Sequence, residues 1–166
     1  MPWVWISIGS NQHRERSIRD AVAELRRRYG ELRLSSVYRS DAVGFNGEPF
    51  LNLVAGFSTR LGVAELTAEL KAIEDLLGRV RGADKFAPRT LDLDLLTYGD
   101  AAGVIDGIRL PRDEILEYAF VLGPLAEVAP QERHPVAGRC YRELWAGFAR
   151  MHQPMKRVSF SFDGSP

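Results

Sequence analysis

Apolar residues change their spacing several times along this chain, and each change marks a new element. Trp3 to Ile8 is a short apolar run rich in β-branched and aromatic residues, which predicts a strand; Gly9-Ser10-Asn11 after it supplies a turn and a helix N-cap. From about Glu15 to Tyr29, Ile18, Ala21, Val22 and Leu25 keep helical spacing, Arg and Glu fill the opposite face, and Gly30 ends the run. Leu32 to Tyr38 alternates in the manner of a strand, and Phe50 to Thr59 is a second β-like run with a polar Asn52 near its start. Arg39 to Pro49 between them, with Gly44 and Gly47, reads as a loop. A second helix is predicted from Val63 to Leu77, with Leu66, Leu70, Ile73 and Leu77 on one face and Gly78 as its stop. The glycine-bracketed basic loop Gly78-Arg79-Val80-Arg81-Gly82 then leads to a strand from Thr90 to Tyr98. The order is β-α-β-β-α-β. It predicts an α+β protein, a ferredoxin-like sandwich whose antiparallel sheet carries both helices on one face and leaves the other face open.

The remaining third is punctuated by Pro111, Pro124, Pro130 and Pro135, with short helices expected near Asp113 to Tyr118 and Tyr141 to Ala149. No internal repeat or second boundary interrupts the chain. Residues 1–150 therefore read as a single domain, and 151–166 as a loosely attached C-terminal tail. With 166 residues and 45% apolar content, one core suffices to hold the fold. Lys plus Arg and Asp plus Glu number 22 each, so no global field draws the protein to nucleic acid or an anionic membrane, and any anion site is local. The single cysteine, Cys140, excludes an internal disulfide framework and fits a reducing, cytoplasmic setting. No export signal or membrane span is expected, and the partners are small molecules, with the protein acting as a monomer.

Chemistry concentrates in Pro88-Arg89-Thr90-Leu91-Asp92-Leu93-Asp94-Leu95-Leu96. Strand side chains alternate, so Asp92 and Asp94 project from one face and Leu91, Leu93 and Leu95 from the other. Paired carboxylates on an apolar strand are unfavourable unless a cation settles between them, and hard Mg²⁺, commonly held by one or two carboxylates and substrate phosphates, is the candidate. A bare Asp-x-Asp is more often ordinary exposed strand. Here Arg79, Arg81 and Arg89 lie close in sequence, and guanidinium groups that grip phosphate beside acids that chelate metal are the two halves of a nucleoside triphosphate site. Asn52, among Phe50, Leu51, Leu53 and Val54, is costly without a partner, and a ligand edge is one.

Together these blocks resemble the 6-hydroxymethyl-7,8-dihydropterin pyrophosphokinase family of folate synthesis. Its Gly-Arg-Val-Arg signature stands at Gly78 to Arg81, its Ala-Pro-Arg-Thr-Leu-Asp-Leu-Asp-Leu signature at Ala87 to Leu95 and its Ile-Gly-Ser-Asn opening at Ile8 to Asn11, the similarity running from about Trp3 to Pro135. The resemblance implies that Asp92 and Asp94 bind two magnesium ions that bridge the phosphates of ATP and touch the pterin hydroxyl, which attacks the β-phosphorus as AMP departs, with no protein nucleophile. Arg79, Arg81 and Arg89 are then left to ATP, Arg79 and Arg89 also to the migrating group; the resemblance puts Glu74 in the nucleotide's surroundings, and Arg112 is expected by ATP because it holds a position that the family places by the triphosphate. The resemblance assigns Phe50 and Phe120 to stacking on the pterin, and Asn52, Ser40 and the backbone from Asp41 to Gly44, Val43 included, to its edge.

The chain departs from the family pattern at Arg112, where the family has His after the proline, and at Tyr118, where it has Arg. Both family residues lie by the triphosphate, so one contact becomes a permanent cation and the other loses its charge. Phe86 replaces a frequent tryptophan. A diverged enzyme for a pterin with a longer side chain, a non-catalytic pterin or nucleotide binder, and a palm-type nucleotidyl transferase or cyclase remain as alternatives. The intact Asp92, Asp94 and arginine set speaks against the binder, and the neutral charge and the Asn52 loop speak against the polymerase-like rival.

Overall fold

The computed structural model describes residues 1–11, 13–40, 49–78 and 91–162. The expectations for Val43 and the rest of 41–48, and for Arg79, Arg81, Phe86 and Arg89, lie outside these residues. Along the chain the elements are β1 (Trp3–Ser10), α1 (Arg14–Tyr29), β2 (Arg33–Leu34), β3 (Val37–Ser40), β4 (Phe50–Ser58), α2 (Val63–Gly78) and β5 (Asp92–Tyr98). They are followed by β6 (Gly103–Ile105), β7 (Ile108–Leu110), α3 (Glu114–Glu117), α4 (Ala119–Val128), α5 (Tyr141–Ala146) and β8 (Met155–Val158).

The main sheet runs β5-β1-β4-β3-β8, with β2 also on β4, and every pairing is antiparallel. This is the ferredoxin-like arrangement expected from the element order. Alternation sorts its residues into two cores. Val4, Ile6 and Ile8 of β1, Leu51, Leu53, Ala55 and Phe57 of β4, and Leu93 and Leu95 of β5 face α1 and α2. The helices answer with the predicted stripes, Ile18, Ala21, Val22 and Leu25 from α1 and Leu66, Leu70 and Ile73 from α2. Each Val, Leu, Ile or Phe among them contributes about 1.5–3 kcal/mol when fully buried, which is why periodicity located these helices well.

The opposite face is not open, as the sequence had suggested. Trp5, Val54 and Leu96 form a second core there with Ile115, Val121, Leu122, Leu125 and Tyr141. The indole Nε1 of Trp5 donates to the Glu132 carboxylate, 3.0 Å from Oε2. Helix α4, not anticipated, runs through Pro124. Proline removes one backbone hydrogen bond from a helix, but burial of the surrounding Val121, Leu122 and Leu125 outweighs that loss.

Three further expectations are corrected. Gly9 and Ser10 do not turn the chain; they extend β1 by pairing with Asn52 and Leu51, and His13, in the left-handed region, precedes α1 without a side-chain cap bond. The run Leu32 to Tyr38 is two strands rather than one. It breaks at Ser35, whose Oγ accepts the Val54 N–H at 2.9 Å, and Glu127 of α4 accepts the Ser36 N–H and the Tyr38 hydroxyl at the break. Residues 151–162 are not loosely attached. β8 pairs with β3, Phe160 and Phe162 pack on the main core, and Arg19 Nε donates to Ser161 O at 2.8 Å.

His134 carries a pH prediction. It is buried, its Nδ1 accepts the Ala137 N–H at 2.9 Å, and burial lowers its pKa. The unfolded chain therefore binds a proton more readily, so stability is full above the unfolded value of about 6.5 and declines as pH falls through the depressed folded value. Melting temperature should fall between pH 7 and pH 5 more for the parent than for His134→Asn, which keeps an acceptor without the titration.

Candidate functional site

At one end of the second face the side chains turn polar, and a cleft of about 410 Å³ opens over β1, β3, β4 and β5. Strand register builds its floor. Asp92 lies across from Gly9 and Gly9 from Asn52 in one rung, and Asp94 lies across from Ser7 in the next on the same face. Ser40 and Phe50, themselves paired, extend the floor toward β3. Glu114 of α3, Tyr118 between α3 and α4, and Phe120 of α4 form the wall that rises from the C-terminal third.

Of the residues predicted for the site, the fold therefore brings Ser40, Phe50, Asn52, Asp92, Asp94 and Phe120 to one cleft. Asn52 is buried, its Nδ2 donates to Ser40 Oγ at 2.9 Å, and its Oδ1 sits over Gly9. A Cβ at position 9 would lie 2.9 Å from that oxygen, so any larger residue would displace the Asn52 amide. Glu74 stands behind the cleft rather than in it. Buried on α2, it accepts the Leu93 N–H at 2.7 Å, on the edge of β5 between the two aspartates. Arg112 reaches the acids from the side, 3.8 Å from Asp94 Oδ1 and in an ion pair of 3.0 Å with Glu114.

Burial raises the pKa of Asp94; Arg112 counters that rise, and Glu114 and Asp92 add to it. Three carboxylates thus face a single described guanidinium, and two strand aspartates on one face, Asp94 partly buried and Asp92 exposed to incoming ligands, offer the oxygen donors that suit a hard divalent cation. Among the described residues no group of three or more His, Cys, Asp or Glu gathers closely enough to hold a metal alone.

Sequence reasoning missed Ser7, Gly9 and Glu114 as lining residues and treated Tyr118 only as a departure. Ser7 and Gly9 carried a signal: they alternate with buried Ile6 and Ile8, so an apolar strand presents two small residues on the face of the aspartates. Tyr118 stacks on Phe120 with ring centroids 5.1 Å apart and 19° between planes, a contact that chain spacing does not reveal.

A profile described as 7,8-dihydro-6-hydroxymethylpterin-pyrophosphokinase matches residues 5–130, which contain every described residue of the cleft. The chain belongs to this family. It is 39% identical over 147 residues to a 2-amino-4-hydroxy-6-hydroxymethyldihydropteridine pyrophosphokinase of Pseudomonas aeruginosa, covering 86% of this chain and 90% of the relative. A protein of the same name from Bacillus subtilis is 36% identical over 131 residues, 76% of this chain and 78% of that one. Among solved structures, the Plasmodium falciparum HPPK-DHPS triple mutant with SDX-DHP superposes with a TM-score of 0.70 over 87% of this chain at 12% identity, a likeness of fold. The match spans only 41% of that longer chain. No helix among the described residues is long and apolar enough to cross a membrane.

Proposed function

We propose that this pyrophosphokinase-family protein transfers the terminal pyrophosphate of ATP to the hydroxymethyl group of 6-hydroxymethyl-7,8-dihydropterin, releasing AMP, as a step of folate synthesis. The observation that carries this reading is a single cleft joining a carboxylate pair, Asp92 and Asp94, to an amide and aromatic wall, Asn52, Ser40, Phe50 and Phe120. Asp92 and Asp94 would hold two magnesium ions, whose positive charge offsets that of the phosphates. Glu74 fixes β5 through Leu93, keeping the two carboxylates on one face, and Arg112 orients Asp94. Asn52 and Ser40 read the donors and acceptors of the pterin edge, while Phe50 and Phe120 cover its flat faces. Arg79, Arg81 and Arg89, which lie outside the described residues, take the ATP phosphates. The pterin hydroxyl releases its proton to solvent as its oxygen bonds to the β-phosphorus and the bond from that phosphorus to the departing AMP oxygen breaks, so proximity and charge do the work. Residues 1–150 act as one domain, with the C-terminal segment joined to it. The protein works as a cytoplasmic monomer on small molecules; its balanced charge supports independence from nucleic acid.

The deciding experiment is AMP formation with Mg-ATP and 6-hydroxymethyl-7,8-dihydropterin, with longer-chain reduced pterins and without acceptor. AMP and pterin diphosphate from the first acceptor establish the reading. Turnover only with a longer pterin would instead favour a specialised member, a reading supported by Tyr118 at the wall. Tight binding without AMP would make it a binding module. Gly9→Ala tests the pterin edge: by displacing the Asn52 amide it should raise KM for the pterin about tenfold, the worth of roughly one hydrogen bond, and leave KM for ATP unchanged.

A further inference from the structure

The wall of the cleft that carries Tyr118 and Phe120 is held from outside by the C-terminal segment, beyond the 5–130 stretch that the family shares. Tyr118 is the joint between α3 and α4, with extended φ −121° and ψ 127°. The side-chain amide of Gln153 spans that joint. Its Nε2 donates to Glu117 O at 3.0 Å, and its Oε1 accepts the Ala119 N–H at 2.8 Å. One planar amide therefore engages the backbone on both sides of Tyr118, as a neighbouring strand would, and sets the direction in which the stacked Tyr118 and Phe120 rings enter the cleft.

Gln153 is itself fixed. Two residues on, Met155 pairs with Ser40 of β3, the residue whose hydroxyl receives the Asn52 amide, and the Met155 side chain packs where a Cβ on Gly123 of α4 would stand. The stretch from Gln153 to Met155 thus ties the aromatic wall to the polar floor. We propose that Gln153 is a positioning residue for the pterin subsite: its bidentate amide aims the Tyr118–Phe120 wall at the Ser40–Asn52 floor, and the C-terminal strand sets pterin affinity without touching the pterin.

This inference rests on the pterin reading above, and its test separates the two. Binding is followed with 6-hydroxymethylpterin by its own fluorescence and with Mg-ATP by calorimetry, for the full chain and for Gln153→Ala and Gln153→Glu. Gln153→Ala should weaken 6-hydroxymethylpterin about tenfold, the order expected for two backbone hydrogen bonds, and leave Mg-ATP affinity and kcat at saturation within about threefold. Gln153→Glu keeps the acceptor for Ala119 and loses the donor to Glu117, so it should fall between alanine and the parent. The Ala119 amide should exchange with solvent faster in Gln153→Ala and stay protected in Gln153→Glu, which keeps its acceptor. Unchanged pterin affinity in Gln153→Ala, or equal weakening of pterin and ATP together with a lowered melting temperature, would overturn the proposal and leave Gln153 a stability contact. A parent that binds neither ligand would overturn the functional reading instead, and a parent that binds without forming AMP would leave the positioning result readable.

Discussion

Asp94→Asn is expected to lower kcat by about a thousandfold while raising the melting temperature of the ligand-free protein. The loss follows from charge: a carboxylate that holds a metal against transferring phosphates supplies several kcal/mol of transition-state stabilisation, and each 1.36 kcal/mol is tenfold in rate. The gain in stability follows from the same carboxylate. Burial raises the pKa of Asp94 above the ordinary aspartate value, with Glu114 and Asp92 adding to the shift against Arg112. Relative to the unfolded chain, the fold therefore favours the protonated form. Stability from this group is present below the unfolded pKa and is lost as pH rises through the raised folded pKa, so at neutral pH the ionised side chain is a net burden that the amide removes. The melting difference between variant and parent should open across the acid range and stay level near neutrality. It should shrink when Mg-ATP is added, because only the parent gains from the metal. Turnover within tenfold of the parent would remove Asp94 from the metal site.

Phe120→Ala should weaken the pterin by roughly ten- to a hundredfold with ATP affinity preserved, since covering a large aromatic surface is worth about 1.5–3 kcal/mol and each 1.4 kcal/mol is tenfold. Phe120 is half-buried against the second core and presents the rest of its ring to the cleft, where Tyr118 stacks on it. The substitution takes away both the surface offered to the ligand and the support of Tyr118, so kcat at saturation should change less than affinity. Titration with 6-hydroxymethylpterin and with Mg-ATP separates the roles. Weakened ATP with unchanged pterin would move Phe120 to the nucleotide side.

Much of this architecture was legible in the order of residues. The stripes of α1 and α2, Ile18 to Leu25 and Leu66 to Ile73, and the shared face of Asp92 and Asp94 follow from backbone geometry alone, because a helix repeats every 3.6 residues and a strand every two. Asn52 announced itself as an amide in an apolar run. Chain order could not show that Ser40 would be its partner, that Glu74 would bond the strand between the two aspartates, or that Gly9 would be floor rather than turn. Pro124 argued locally against α4, and only the apolar surface of Trp5, Val54 and Leu96 on a distant sheet outweighed it. The segment from Gln153 to Phe162 carried no strong local signal, yet β3 had an edge to offer and the α3–α4 joint had a backbone donor and acceptor to satisfy. The sequence by itself determined β1, α1, β4, α2 and β5, their buried faces and the shared face of the acidic pair, since these depend on neighbours along the chain. The cleft was decided by tertiary structure, because Ser7, Asn52, Asp94 and Phe120 meet only through strand order and helix packing, interactions between residues that are far apart until the chain has folded.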